Sequence, residues 1–378
     1  MPAGFRISVC IAIALSQATA PPAAIQERLD RARADLFSRA EHVSEDVREL
    51  KEVLALNPRS AEAHLLLGVA YSTLGSKDLK GEAVGEFRQA LDIDPGLVAV
   101  RFYLAHLYLD LGRAARAREE LETALVQVPG NPEFLALLGE AERQLKNPRR
   151  AVEVTRQALQ ADDSFAPPRY YLGLALLDLG ERDEAIKELE RVVRSGPTVA
   201  DAYRALGNAY VEAGRATEAI ETLNQGLRVD PGRTELRIVL ARAYRSKGLL
   251  DKAEAQLALG MPKRATRPAS SDYPYQQVEL DFYLERGLVR QRRGQLAAAA
   301  EAFKKVLDLE PDHGPANRGL AEVYLRQGLF AKAQPHADRA ARAGFPLSED
   351  KLKVLQNGLR TKKADVARVS APKPGGGD

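Results

Sequence analysis

The sequence predicts an all-α fold: an α-solenoid of about eight helical hairpins with capping helices at both ends. Three observations carry this. Alanine stands at positions 83, 117, 151, 185, 219, 253, 299 and 333, a step of 34 residues wherever the chain is uninterrupted. A small residue lies twelve places before nearly all of them, at Ala105, Gly139, Gly173, Gly207, Ala241, Gly287 and Ala321, with Gly68 fifteen before the first. Glycine and proline recur at the same period. A period of this length means one supersecondary unit stacked on copies of itself.

Each column has a physical reason. Leu67 and Tyr71 lie four residues apart and share one helical face, as do Leu104 and Tyr108, Leu206 and Tyr210, Leu240 and Tyr244, and Leu320 and Tyr324. The small residue and the later alanine let two helices approach closely, where a larger side chain would force them apart. Gly75, Gly112, Gly180, Gly214, Gly248, Gly294 and Gly328 end the first helix in a left-handed turn, and Lys146 alone breaks that column. Pro58, Pro95, Pro129, Pro197, Pro231 and Pro311 stop the second helix, because proline cannot continue it. Repeat 3 departs further, with Glu142 in place of tyrosine and Asp163 in place of proline. Repeat 7 puts Arg286 and Arg290 at inward columns, where their stems can lie on the core and their charges reach water.

The Leu-Gly/Ala-x-x-Tyr pattern, the second-helix alanine and the terminal proline resemble the tetratricopeptide repeat family. Eight copies begin at Ala61, Val98, Pro132, Ala166, Ala200, Thr234, Leu280 and Gly314. The resemblance implies that the α-solenoid winds as a right-handed superhelix, that first helices line a concave groove, and that positions two, five, nine and twelve of each unit meet the ligand. Carried over, repeats 1, 2 and 4 give Leu65, Val69, Phe102, Leu109, Tyr170, Leu174 and Leu177. Repeats 5 and 6 give Asp201, Arg204, Asn208, Ile238, Arg242 and Arg245, and repeat 8 gives Arg318 and Glu322. The groove is expected to be apolar and aromatic early, then basic and polar. It suits a partner peptide with an apolar half and an acidic half. The competing reading is that these side chains pack between neighbouring first helices. A chaperone-tail clamp is not expected, since only Asn208 matches part of its pattern.

The organisation follows from where the period holds. Residues 1–20 read as a secretory signal: a short basic start, an apolar run from Ile7 to Leu15, then Ser16, Ala18 and Ala20. Cleavage is expected after Ala18 or Ala20, which implies export to the periplasm or beyond in a bacterial-style cell. Cys10 is the one cysteine and falls within this segment, in a poor setting for a lipid anchor. Residues 21–60 form a divergent cap, and 61–260 hold repeats 1–6. A three-residue insertion near Ser76–Gly81 reads as a longer inter-helix loop. Residues 261–279, with Pro262, Pro268 and Pro274, read as a hinge between two sub-stacks, or alternatively as a flap. Repeats 7 and 8 fill 280–347, a capping helix 348–364, and a disordered tail 365–378.

The chain has 378 residues with 55 Lys and Arg against 52 Asp and Glu, a net charge of +3. That balance does not fit a dedicated polyanion binder. The five histidines show no zinc-ligand spacing, with His64 reading as a packed core side chain and His313 in an inter-repeat turn. There is no G-x-S-x-G, phosphate loop or G-x-G-x-x-G. The expectation is a non-catalytic scaffold with no cofactor, no metal and no small-molecule substrate, which binds a protein or peptide in association with the cell envelope. A nucleic-acid-binding helical repeat, and an accessory or glycan-binding subunit of an envelope complex, are the alternatives.

Overall fold

The computed structural model describes residues 23–38, 42–164, 166–196, 200–260 and 275–370. The expected signal peptide, the core of the 261–279 segment and the last eight residues lie outside them. Among the described residues there are nineteen helices and no strand. The opening pair is α1 (Ala23–Ser38) and α2 (Val43–Leu56). Hairpins follow: α3 (Ala61–Leu74) with α4 (Lys77–Ile93), α5 (Val98–Asp110) with α6 (Ala114–Gln127), α7 (Pro132–Gln144) with α8 (Pro148–Ala161), and α9 (Ala166–Leu179) with α10 (Arg182–Arg194). Then come α11 (Ala200–Glu212) with α12 (Ala216–Val229), α13 (Thr234–Ser246) with α14 (Leu250–Ala258), α15 (Tyr275–Arg292) with α16 (Leu296–Leu309), and α17 (Gly314–Arg326) with α18 (Phe330–Arg342). α19 (Glu349–Ser370) closes the chain. The chain divides into two compact units, one reaching Ala209 and the other starting at Tyr210, within α11.

In both units the packing explains the columns. All eight alanines of the period are fully buried. Four residues beyond each stands a second inward side chain: Phe87, Leu121, Thr155, Leu189, Leu223, Leu257, Phe303 and Ala337. At Gly68, Gly139, Gly173 and Gly287 this column faces the glycine of the first helix. A Cβ added at Gly68 would lie 2.6 Å from the Phe87 ring, at Gly173 2.7 Å from Leu189, and at Gly287 2.5 Å from Phe303. Real Cβ contacts do not come that close, so these first helices need glycine where the second helix brings a bulky side chain.

The turn column is kept in geometry even where it fails in sequence. The seven turn glycines have φ between 67° and 83°. Lys146 adopts φ 65° and is the one non-glycine residue with positive φ among those described. The left-handed conformation costs an L-residue roughly 1–2 kcal/mol. Lys146→Gly is therefore expected to raise unfolding free energy by up to about 1 kcal/mol, because glycine also gains entropy in the unfolded chain. A urea titration of the two proteins checks this; a lower midpoint for the glycine variant contradicts it.

Several boundaries differ from those read in the sequence. Seven first helices begin at the residues named above, but α15 begins at Tyr275, five before Leu280. The insertion in repeat 1 lengthens α4 instead of the loop: Gly75 ends α3 in the left-handed region and Ser76 caps α4 at once, its Oγ accepting from the Leu79 amide at 3.2 Å. The 261–279 segment does not mark the division into units. Ile238, Ala253 and Leu257 share one buried cluster with Val278, Phe282 and Val289, which joins the repeats on either side of it. The closing helix runs past its expected end at Ala364 to Ser370.

Candidate partner-binding face

In five of the eight repeats the fourth position of the unit carries a polar side chain that the sequence reading did not single out. Arg101 donates to Glu120 Oε2 at 2.5 Å and to the Pro95 carbonyl at 3.3 Å. Arg169 donates to Glu188 at 2.7 Å and to the Asp163 carbonyl at 3.0 Å. Arg237 donates to Gln256 at 3.3 Å and to the Pro231 carbonyl at 2.7 Å. Asn317 donates to the Pro311 carbonyl at 3.0 Å and pairs with His336 at 2.8 Å. One side chain thus ties the preceding inter-repeat turn to the second helix of its own hairpin. The signal was in the sequence: a donor at place four and a polar partner nineteen residues later.

His64 fills this place in repeat 1. It is not simply a core side chain: Nδ1 lies 2.6 Å from Glu86 Oε2 and Nε2 lies 3.2 Å from the Pro58 carbonyl. The Glu86 hydrogen bond raises the His64 pKa above its ordinary value, with burial opposing it. A raised folded pKa stabilises the fold fully below the unfolded value of about 6.5, and that stability is lost as pH rises through the folded pKa. The N-terminal unit should therefore melt higher at pH 5.5 than at pH 8, and Glu86→Gln should flatten that difference. Melting curves at the two pH values check it.

In the N-terminal unit, the residues expected to form an exposed apolar groove are mostly consumed by packing. Leu65, Phe102 and Tyr170 are 2 %, 5 % and 4 % exposed, and Val69 and Leu109 are buried too. The reason is the close approach of successive first helices: Phe102 of α5 meets Phe134 of α7 edge-on at 5.6 Å between ring centres. Leu174 and Leu177 remain half-buried. Asp201 is buried and accepts from Arg204 Nε at 3.3 Å, while Arg204 and Asn208 are half-buried on the same face of α11.

In the C-terminal unit, Ile238 is buried, and Arg242 and Arg245 converge on the carboxylate of Glu285. Arg245 grips it with two nitrogens, Nη2 to Oε2 at 3.1 Å, and Arg242 Nε lies 3.6 Å from Oε2. The Glu285 side chain is 2 % exposed. The acidic group these arginines were expected to take from a partner is supplied by α15. Arg292 donates to the Arg245 carbonyl at 2.9 Å and Arg326 to the Gln291 carbonyl at 3.2 Å, each a cation at a helix C-terminus. Glu322 is held by Gln291 at 3.0 Å and Lys351 at 2.7 Å, whereas Arg318 is exposed. Of the two inward arginines of repeat 7, Arg290 pairs with Glu254 at 3.1 Å and Arg286 lies over the Phe282 ring. No metal-holding group of His, Cys, Asp and Glu occurs among the described residues, and none of their helices is long and apolar enough to cross a membrane.

Stacked hairpins with a close-packed alanine core and a variable first-helix face define a helical-repeat scaffold. One tetratricopeptide repeat model matches residues 31–98 and 170–233, and a second matches 81–141, 210–270 and 291–345. The chain belongs to the tetratricopeptide repeat family. Tetratricopeptide repeats in general mediate protein–protein interactions, and the scaffold is typically non-catalytic. No characterised protein matches the chain in sequence. Among solved structures, it is similar to a chain of the APC/C hetero-tetramer Cut9–Hcn1, with a TM-score of 0.63 and 16% identity over 87% of this chain. The match spans 63% of that chain. It is also similar to a tetratricopeptide repeat protein from Parabacteroides merdae, with a TM-score of 0.51 and 17% identity over 69% of this chain and 98% of that one. At these identities the likeness is one of fold. Several hundred solved chains share it, so the fold does not select a partner.

Proposed function

We propose that the protein is a non-catalytic scaffold that captures an extended or helical segment of a partner protein on its first-helix face. One observation carries this reading. In the N-terminal unit Leu174, Leu177, Arg204 and Asn208 keep partly exposed side chains on consecutive first helices, while the columns that bind helix to helix are buried. Apolar surface beside a guanidinium and an amide suits a segment with an apolar anchor and a backbone or carboxylate to hold. The apolar start of the chain supports export, and the partner is then a protein of the cell envelope.

Crosslinking in the native cell, followed by identification of the joined segment, supplies the partner peptide. The variant carrying Leu174→Ala, Leu177→Ala and Asn208→Ala together, which leaves the Asp201–Arg204 pair intact, should then bind that peptide at least about tenfold more weakly, the equivalent of about 1.4 kcal/mol. Helicity should be unchanged. Unaltered affinity would overturn the assignment of this face. N-terminal sequencing from a secreting host should begin near Thr19 or Pro21, and a retained Met1 in the cytosol would overturn export.

A further inference from the structure

A cavity of about 620 Å³ opens beside the turns of repeats 2 and 3. Gly112, Arg113, Ala114, Ala115 and Arg116 line one side, and Arg143, Gln144, Leu145 and Lys146 the other. Four cationic side chains face this space and no carboxylate lines it. Arg143 is held by Glu140 at 2.7 Å and by Asp178 at 3.2 Å, so its charge is met from behind. Arg113, Arg116 and Lys146 are exposed and make no ion pair among the described residues, although Arg116 lies over the Tyr108 ring at 5.9 Å. The excess positive charge at the cavity is therefore uncompensated by the protein.

Three further features favour an anion here. α6 starts at Ala114 with no side-chain cap and no acidic residue in its first turn, so no side chain of its own offsets the dipole there. Lys146 stands where the turns of the other repeats carry glycine, and it holds the left-handed conformation at a cost to the fold. Strain retained at one turn, and at the turn that lines a basic cavity, places an ammonium there. The lining holds no aromatic ring on which a base could stack, so the arrangement reads charge and not nucleobases.

We propose that this cavity is a binding site for a phosphate-class oxyanion, gripped by the guanidinium forks of Arg113 and Arg116 and the ammonium of Lys146. The cavity borders the first-helix face through Arg143 of α7, but the three groups that grip the anion lie on the turns and at the start of α6, so the proposal does not depend on partner capture. The test uses the full chain with inorganic pyrophosphate and a phosphoserine peptide as probes, and acetate as a monovalent control, by titration calorimetry at low salt. Pyrophosphate or phosphoserine should bind and acetate should not; the tighter of the two probes identifies the source of the oxyanion. Arg113→Gln and Lys146→Gly should each weaken binding by about tenfold, as expected for one lost charged contact. Lys146→Gly should at the same time raise the melting temperature, so lost binding cannot be read as lost fold. Failure of both phosphate probes to bind, or undiminished binding in both variants, would overturn the proposal.

Discussion

Replacing Phe303 by alanine is expected to destabilise the C-terminal unit by about 3–5 kcal/mol, the cost of removing a fully buried ring from a core that cannot collapse around the void. Phe303 lies on α16 with no exposed surface. Two glycines meet its ring, Gly287 of α15 and Gly319 of α17, and a Cβ on either would sit 2.5 Å from it. The ring thus fills space that two neighbouring helices create by having no side chain there. Its loss strips contacts from Leu280, Val306, Leu320 and Val323, which share the cluster. Urea unfolding followed by circular dichroism, with amide exchange over residues 280–330, gives the magnitude and the location. The stricter check is a double-mutant cycle with Gly287→Ala. Alone, that methyl overpacks the site and costs about 1–3 kcal/mol. Combined with Phe303→Ala it enters the void, so the two losses should fall well short of additive. Simple additivity would show that ring and glycine do not share this space.

This pair also shows what the sequence could and could not reveal. The alanine column, and the turn-glycine column outside Lys146, are single residue types at near-constant spacing, so they show the period, the hairpin and seven of the eight first-helix starts. The column four residues beyond the alanine holds Phe, Leu, Thr and Ala. It is constant in burial and not in identity, and therefore stays invisible until Gly68 is seen against Phe87 and Gly287 against Phe303. The fourth-position ties show only as a spacing, a donor with a polar partner nineteen residues on in four repeats, because His64, Arg101 and Asn317 perform one task with three chemistries. The repeat-1 insertion reads as a loop although Ser76 and Asp78 are present as a cap and a first-turn acid; three added residues extend a helix when they begin with a cap. The groove residues stand on the helices expected of them. Whether they face solvent depends on how closely successive first helices approach, and the separation of Phe102 from Phe134 is not written in either residue.

Arg245→Met is expected to cost about 3–5 kcal/mol, because it leaves the Glu285 carboxylate buried with its principal partner gone. Glu285 sits where other repeats carry Leu66, Tyr103 or Val239, so an ionised group has been placed at an otherwise apolar position and must be matched. Glu285→Ala should cost less, about 3 kcal/mol or below, since the Arg242 and Arg245 side chains are 30% and 18% exposed and recover part of their hydration. Removing both charges together, as Glu285→Leu with Arg245→Met, should bring stability back toward the native value, as replacing a buried ion pair by packed apolar groups commonly does. Denaturant midpoints of the two single variants and the double variant decide this, and a double variant as unstable as the sum of the singles would refute the pairing. The result also bears on function. Arg242 and Arg245 cannot serve as silent probes of partner capture, since their loss perturbs the fold that presents the face. Glu285→Gln is the informative change: it keeps the shape, withdraws the internal charge, and weakens the hold on the Arg242 and Arg245 guanidiniums. If those positions take a carboxylate from a partner, affinity for an acidic segment should rise in this variant, and if Glu285 only locks α13 to α15, it should not move.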